Sequence, residues 1–320
     1  MAHLVETMAY VGETPWHGLG QRLTTRQPLE VWAREAGMDW QIMETPVRFI
    51  SGGNERLGAI QSFTDHKVLY RSDNQSPLSV VGQRFQVVQP REILEFYRDL
   101  TELSGFELET AGVLKEGRKF WALARTGDSV TLKGNDVTHA YVLLATACDG
   151  TLATTAQFTS IRVVCNNTLA VALQRGGQVI KVPHNTSFDP QAVKQQLGIA
   201  VSAWDHFMVR LKALSERKVK SHEAMSFFLQ VFSSEDKTTG AQQTSERAMN
   251  KAMSLYEGQG RGADLSSAKG TAFGLLNAVT EFVDHERRSR SIDHRLDSAW
   301  FGQGAQIKEK AWHQSLQLVA

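Results

Sequence analysis

The stretch between residues 109 and 164 constrains the fold most. Four apolar runs follow one another there: ETAGVL, RKFWALAR, AYVLLATAC and TTAQFTSIRVV. Gly-, Asp- and Asn-containing turns separate them, and KEG (115–117) and CDGT (148–151) read as hairpin connections. Strands joined so tightly pair with their neighbours in an antiparallel sheet, whose apolar face must be covered by another layer.

The covering layer stands just upstream. In PREILEFYRDLTEL, Ile93, Phe96, Tyr97, Leu100 and Leu103 recur at helical spacing, with Pro90 suited to a first turn. Before it, PLEVWAREAGMDW predicts a short helix ending at Gly37, and LGAIQSF, KVLYR and LSVVG predict short strands. The character changes near residue 190. Val193, Leu197, Val201, Trp204 and Met208 share one helical stripe, HEAMSFFLQVF predicts a second helix, and Leu275, Leu276, Val279, Phe282 and Val283 mark a third. The end of the chain reads as helical again after Gly304. The polar segments 233–248 and 258–267 read as loops, the first a mobile one. The expectation is an α+β fold: a sheet-and-helix domain over 1–190, with a mostly helical domain over 191–320 packed on it.

Composition narrows the function classes. No uncharged apolar run reaches 18 residues, so no membrane span is expected, and the acid-bearing N-terminus does not read as a secretory signal. Two cysteines, Cys148 and Cys165, are too few for a disulfide framework, which points to a cytoplasmic protein with reduced thiols. The net charge of +1 announces no polyanion partner from the whole-molecule field. Local excesses do exist, at RLKALSERKVKSH (210–222) and ERRSRSIDHR (286–295). Arg210, Lys212, Lys218 and Lys220 in the first form either a solvated helical face or a nucleic-acid surface.

Several motifs invite chemistry. Cys165, in IRVVCNNTLAVAL, has no hydrolase signature around it and reads as a small buried hydrophobe. Asp284-His285-Glu286 and Asp65-His66 offer metal-ligating atoms, but consecutive residues point apart and do not converge on one ion. GQGRG (258–262) lacks the strand and the Lys-Ser/Thr ending of a phosphate loop, so no cofactor is expected. Trp16 and His17, flanked by glycines, read as a docked aromatic turn. Asn166, Asn167 and Thr168 read as the polar hinge from a strand into a helix, with ligand contact by Arg162 and the amides as the other account. Cationic and aromatic residues interleave in the sheet region at Arg84, Lys115, Arg118, Lys119, Trp121 and Arg162. Such interleaving suits single-stranded nucleic acid, with Lys119 and Trp121 on an outward face and Phe120 in the core. An ordinary amphipathic sheet with basic tips is the other account.

Six ordered stretches also resemble one family. ETMAYVGETPWHGLG, VVGQRFQVVQ, ETAGVLKEGRKFWALAR, TSIRVVCNNTL, FGLLNAVTEFVDHERR and SAWFGQGAQIKEKA are similar to the phage/plasmid-like "LGT" family, a domain of unknown function found in mobile elements. The resemblance runs from residue 1 to about 315 and implies a task in mobile-element DNA metabolism. At the level of topology alone, the strand–helix–strand order is also similar to phage single-strand annealing proteins. The resulting expectation is a non-enzymatic, homo-oligomeric protein that binds single-stranded DNA and promotes annealing or recombination. Arg84, Lys115, Arg118, Lys119, Trp121, Arg162, Asn166, Asn167, Arg210, Lys212, Lys218 and Lys220 are its candidate contacts. The alternative is an enzyme or a host-directed, anti-defence factor, marked by convergence of His17, Asp65, His66 or Cys165. A third option is a structural assembly protein, with the stripes at 193–208 and 273–288 exposed at subunit contacts.

Overall fold

The computed structural model describes residues 7–12, 20–52, 58–104, 106–162, 164, 167–170, 180–193, 195, 202–235 and 242–320. The chain divides into two compact units that interleave in sequence. Residues 1–125, 142–157 and 179–197 make the first unit, and 126–141, 158–178 and 198–320 the second. The division therefore falls within strands, not at a single point near residue 190. Strands in the N-terminal half form sheets and helices fill most of the C-terminal part, the α+β arrangement the sequence leads one to expect.

The first half of the chain supplies β1 (Thr7–Val11), β2 (Gln21–Leu23), α1 (Leu29–Glu35), β3 (Ile42–Ser51), β4 (Ala59–Arg71), β5 (Pro77–Gly82) and α2 (Pro90–Ser104). It continues with β6 (Glu107–Leu114), β7 (Lys119–Leu132), β8 (Asp136–Ala147), β9 (Thr154–Arg162), β10 (Asn167–Ala170) and β11 (Ile180–Val182). The main sheet runs β10-β9-β8-β7-β6-β1-β2, with β11 also on β9. The pairs β1–β6, β6–β7, β9–β10 and β9–β11 are antiparallel, and β1–β2 is parallel. A second sheet, β3-β4-β5, contains one long strand over 59–71 where the sequence suggests two short ones.

In the first unit, α2 seats Ile93, Leu94, Phe96 and Tyr97 in the core, as its periodicity predicts. The Tyr97 hydroxyl lies 2.8 Å from the Ala122 carbonyl and 3.0 Å from that of Val142. Complete burial lifts its pKa well above the usual tyrosine range, so it remains a donor.

The helices are α3 (Ser202–Glu216), α4 (Ser221–Phe232), α5 (Glu246–Ser254), α6 (Ala272–Glu281), α7 (Ile292–Phe301) and α8 (Gln303–Gln317). Between α4 and α5 the polar segment pairs β12 (Ser233–Glu235) with β13 (Gln242–Thr244). At the centre of the second unit lies α6, buried along its whole length. Its sequence reads as amphipathic, yet no face of it is open, so the stripe at 273–288 is not an exposed subunit contact. Thr271 caps it by accepting from the Gly274 amide at 3.1 Å. A Cβ at Gly274 would come within 2.1 Å of the Ala268 carbonyl, so only glycine lets this helix approach.

The predicted hinge at 166–168 is different in kind. Asn167 pairs with Arg162, and Thr168 with Ile161, across the β9–β10 hairpin. Asn167 and Thr168 therefore begin a strand, not a helix: the segment pairs with β9, and the Thr168 amide is satisfied by the Asp284 carboxylate and not by a local cap. Asn166 and Cys165 lie outside the described residues, as do Trp16 and His17.

Candidate nucleic-acid interface

A turn of π-helix, Phe282–Glu286, extends α6. The Arg287 amide donates to the Phe282 carbonyl at 2.7 Å, five residues back. The widened turn fans Asp284, His285 and Glu286 in three directions. Asp284 points inward, 2.8 Å from the Lys308 ammonium, and accepts from the Thr168 amide at 2.7 Å. His285 sits 3.1 Å from the Asn167 amide oxygen. Glu286 points outward and pairs with Lys251 at 3.2 Å. The expectation that these three do not converge holds. Among the described residues no cluster of His, Cys, Asp or Glu could hold a metal ion.

Glu286 marks the edge of a cleft of about 1190 Å³. One wall is α5, which turns Arg247, Asn250, Lys251 and Ser254 to the cleft at i, i+3, i+4 and i+7, with the buried Ala248 at its floor, while Ala252 goes toward the core. Opposite stands α8, giving Gln303, Ile307 and Lys310 on one face and burying Gly304, Lys308 and Ala311 on the other. Arg287 and Arg288 enter from the chain after the π turn, and Phe232, Phe282 and Ile307 supply apolar surface. Among the described residues, five cations, Arg247, Lys251, Arg287, Arg288 and Lys310, thus line the cleft against one carboxylate, Glu286. Lys310 donates to the Ser233 carbonyl at 2.7 Å, and Arg287 to Ser298 at 2.8 Å and to Gln303. Arg247 and Arg288 are exposed and form no ion pair among the described residues. A concave wall of one sign raises the local concentration of anions.

Two buried ion pairs hold this unit together. In the first, Arg162 grips Asp136 through Nε at 2.8 Å and Nη2 at 2.6 Å, and Ser267 donates to the same carboxylate at 2.5 Å. Its remaining donors reach the carbonyls of Gly262 at 3.1 Å and Arg261 at 3.4 Å. The GQGRG segment, expected as a loose loop, is therefore anchored, and Glu281 accepts from the Arg261 amide at 3.0 Å. Burial pushes the Glu281 carboxyl above the usual range, opposed by that hydrogen bond. In the second pair, Lys308 also meets the Thr168 hydroxyl at 2.8 Å. Burial lowers the Lys308 pKa, and Asp284 offsets part of the fall.

The residues singled out from sequence fall elsewhere. Lys119 and Trp121 are buried together with Phe120, because β7 is an interior strand covered on both faces over residues 119–124. The outward face expected for them does not exist. Arg162 and Asn167 are likewise buried, the first saturated by Asp136 and backbone carbonyls, the second donating to the Asn277 carbonyl at 3.3 Å. Arg84 and Arg118 are exposed, and Lys115 is half-buried in a turn with φ of 54°. Arg210, Lys212, Lys218 and Lys220 lie on or just after α3, outside the cleft lining, where Lys218 donates to the Lys269 carbonyl at 3.1 Å. Asp65 and His66 are exposed on β4, the imidazole stacked on Phe63. The cleft cations escaped the sequence reading in part: ERRSR stands out as a charge run, but nothing joins it to Arg247, Lys251 or Lys310 before the chain folds.

Residues 77–300 match the family model described as a domain of unknown function, DUF932. The chain belongs to the DUF932 family. No curated protein and no solved structure matches it. The DUF932 match takes in β5 through most of α7, and so contains four of the five cleft cations, Lys310 lying beyond it. No helix among the described residues is long and apolar enough to cross a membrane.

Proposed function

We propose that this DUF932 protein binds single-stranded nucleic acid in the cleft between α5 and α8. Its natural ligand is the single-stranded DNA of a phage- or plasmid-type element, in a role such as strand annealing or recombination. The observation that supports this reading is the charge of the cleft, five cations against one carboxylate among the described residues. Cations serve the phosphates of a single strand without sequence preference, and the buried edge-to-face pair Phe232–Phe282 forms an apolar floor beneath them.

Fluorescence anisotropy with labelled single- and double-stranded oligonucleotides across a salt series tests it. Single-strand binding should weaken with salt, with a log–log slope of about −0.7 per phosphate contact. Replacing Arg247, Arg288 and Lys310 together with alanine should flatten that slope by roughly 2. Replacing Arg84 and Arg118, exposed cations outside the cleft, should leave it unchanged. No single-strand binding at ~50 mM salt, or a slope indifferent to the triple replacement, sinks the proposal.

A further inference from the structure

The cleft between α5 and α8 is rich in charge and poor in ring surface. Among the described residues its lining holds two aromatic side chains, Phe232 and Phe282, each 8% exposed. Their rings meet edge to face, 5.4 Å apart at 83°, and Phe232 also lies against Phe228 at 6.4 Å and 19°. Both rings are thus spent on one another and on the core, and neither presents an open face for a base to lie on. The segment that borders the cleft, 233–248, reads SSEDKTTGAQQTSERA and brings no ring either. What the lining does present suits phosphate oxygen. Beside the guanidinium and ammonium groups stand exposed amide and hydroxyl donors at Asn250, Gln306 and Ser245.

Single strands held without sequence preference ordinarily combine cations for the phosphates with aromatic faces for the bases. Among the described residues the cleft supplies the first and not the second. Building on the nucleic-acid reading above, we propose that the cleft recognises the phosphate chain alone and leaves the bases unstacked. Arg, Lys, Ser, Asn and Gln are side chains that contact phosphate oxygens in nucleic-acid complexes, and such contacts carry no sequence information. The two modes of binding differ enough in magnitude to be told apart. A base stacked on an aromatic side chain is worth roughly 5- to 150-fold in affinity, so even one would show. A chain of phosphates comes from a nucleic-acid backbone or from inorganic polyphosphate, and the chemistry of the cleft admits both.

Anisotropy at low salt, with labelled oligothymidylate and with an abasic oligomer of equal phosphate number, tests it on the full chain. The abasic chain should bind within about fivefold of the thymidylate, and a larger loss means that bases are stacked and overturns the inference. Phe282→Leu keeps the apolar floor and removes a ring, so the ratio of the two affinities should not change, with the fold checked by circular dichroism. A ratio that narrows in this variant overturns the inference as well. Inorganic polyphosphate should displace the labelled thymidylate, and no displacement at large excess overturns the inference too. Displacement at a lower phosphate concentration than unlabelled thymidylate requires assigns the inorganic source, and weaker displacement assigns the nucleic-acid backbone. Thymidylate that binds while the abasic chain does not sinks this inference and leaves the nucleic-acid reading standing. Polyphosphate that binds in equilibrium dialysis while neither oligomer binds does the reverse.

Discussion

Arg162 is the residue whose sequence context most invites a ligand, and its replacement by methionine separates a binding role from a structural one. The guanidinium has 4% of its side-chain surface open and Asp136 has none. Removing the cation leaves the Asp136 carboxylate buried with the Ser267 hydroxyl, and takes a donor from the carbonyls of Arg261 and Gly262. Losing one partner of a buried pair costs about 3–5 kcal/mol. A protein with a total stability of about 5–15 kcal/mol would surrender a large share of it. Replacing both partners, as Arg162→Met/Asp136→Leu, removes the stranded charge and should recover at least ~1 kcal/mol over the single variant. Arg162→Lys should fall between native and methionine, because an ammonium cannot span both carboxylate oxygens as the planar fork does. Urea unfolding followed by circular dichroism gives the four values. An Arg162→Met variant within ~1 kcal/mol of native, or a double variant no more stable than Arg162→Met, refutes the reasoning. In anisotropy, Arg162→Lys should bind single strands as the native chain does; weakened binding at unchanged fold would return Arg162 to the ligand.

Further outcomes follow from the buried titratable groups. Lys308 has a pKa below its usual 10.5, so between that lowered value and 10.5 the unfolded chain binds more protons than the folded one. Stability should therefore rise with pH through this window, and Lys308→Met should flatten the rise in urea midpoints. Glu281 is shifted the other way, above 4.5, so its contribution is complete at low pH and lost as pH climbs through the folded value. Glu281→Gln should match the native stability near pH 4 and exceed it increasingly above, and a parallel profile would show that the carboxyl is not desolvated. Cys148, pushed up to about 12 by burial and by Asp149, is a thiol at pH 8. Peptide mapping should find it unmodified by iodoacetamide until denaturant is added. Gly262 has φ of 67°, and a Cβ there would lie 3.1 Å from an Arg162 nitrogen and 2.7 Å from a Val164 methyl. Gly262→Ala should destabilise the chain by about 1–3 kcal/mol in urea unfolding.

Local patterns carried much of the architecture. The helical spacing of Ile93, Phe96 and Tyr97 foretells α2, and the turn residues at 115–117 and 148–151 foretell their hairpins. Patterns fail where burial is symmetric. RKFWALAR looks half-polar because it opens with two cations, yet β7 is covered on both faces and takes Lys119 inside. The α6 stripe looks amphipathic because Asn277, Glu281 and Asp284 interrupt it, yet the Asn277 amide donates to the Phe273 carbonyl one turn back, while Arg261 and Lys308, distant in sequence, satisfy the two carboxylates. At 167–168, propensity for a cap and for a strand start are alike, and the hairpin pairing to β9 together with the distant Asp284 carboxylate decides.

By itself the sequence marks α2, most of the C-terminal helices and the strands between 109 and 162, and it marks ERRSR as a local excess of charge. Only the tertiary structure decides which cations are free. Arg162 and Lys308 are consumed by carboxylates 26 and 24 residues away in the chain, whereas Arg247, Arg288 and Lys310 meet across a cleft. The reason is physical: a charge is valued by its desolvation and by the neighbours within a few ångströms, and neither is written in local spacing.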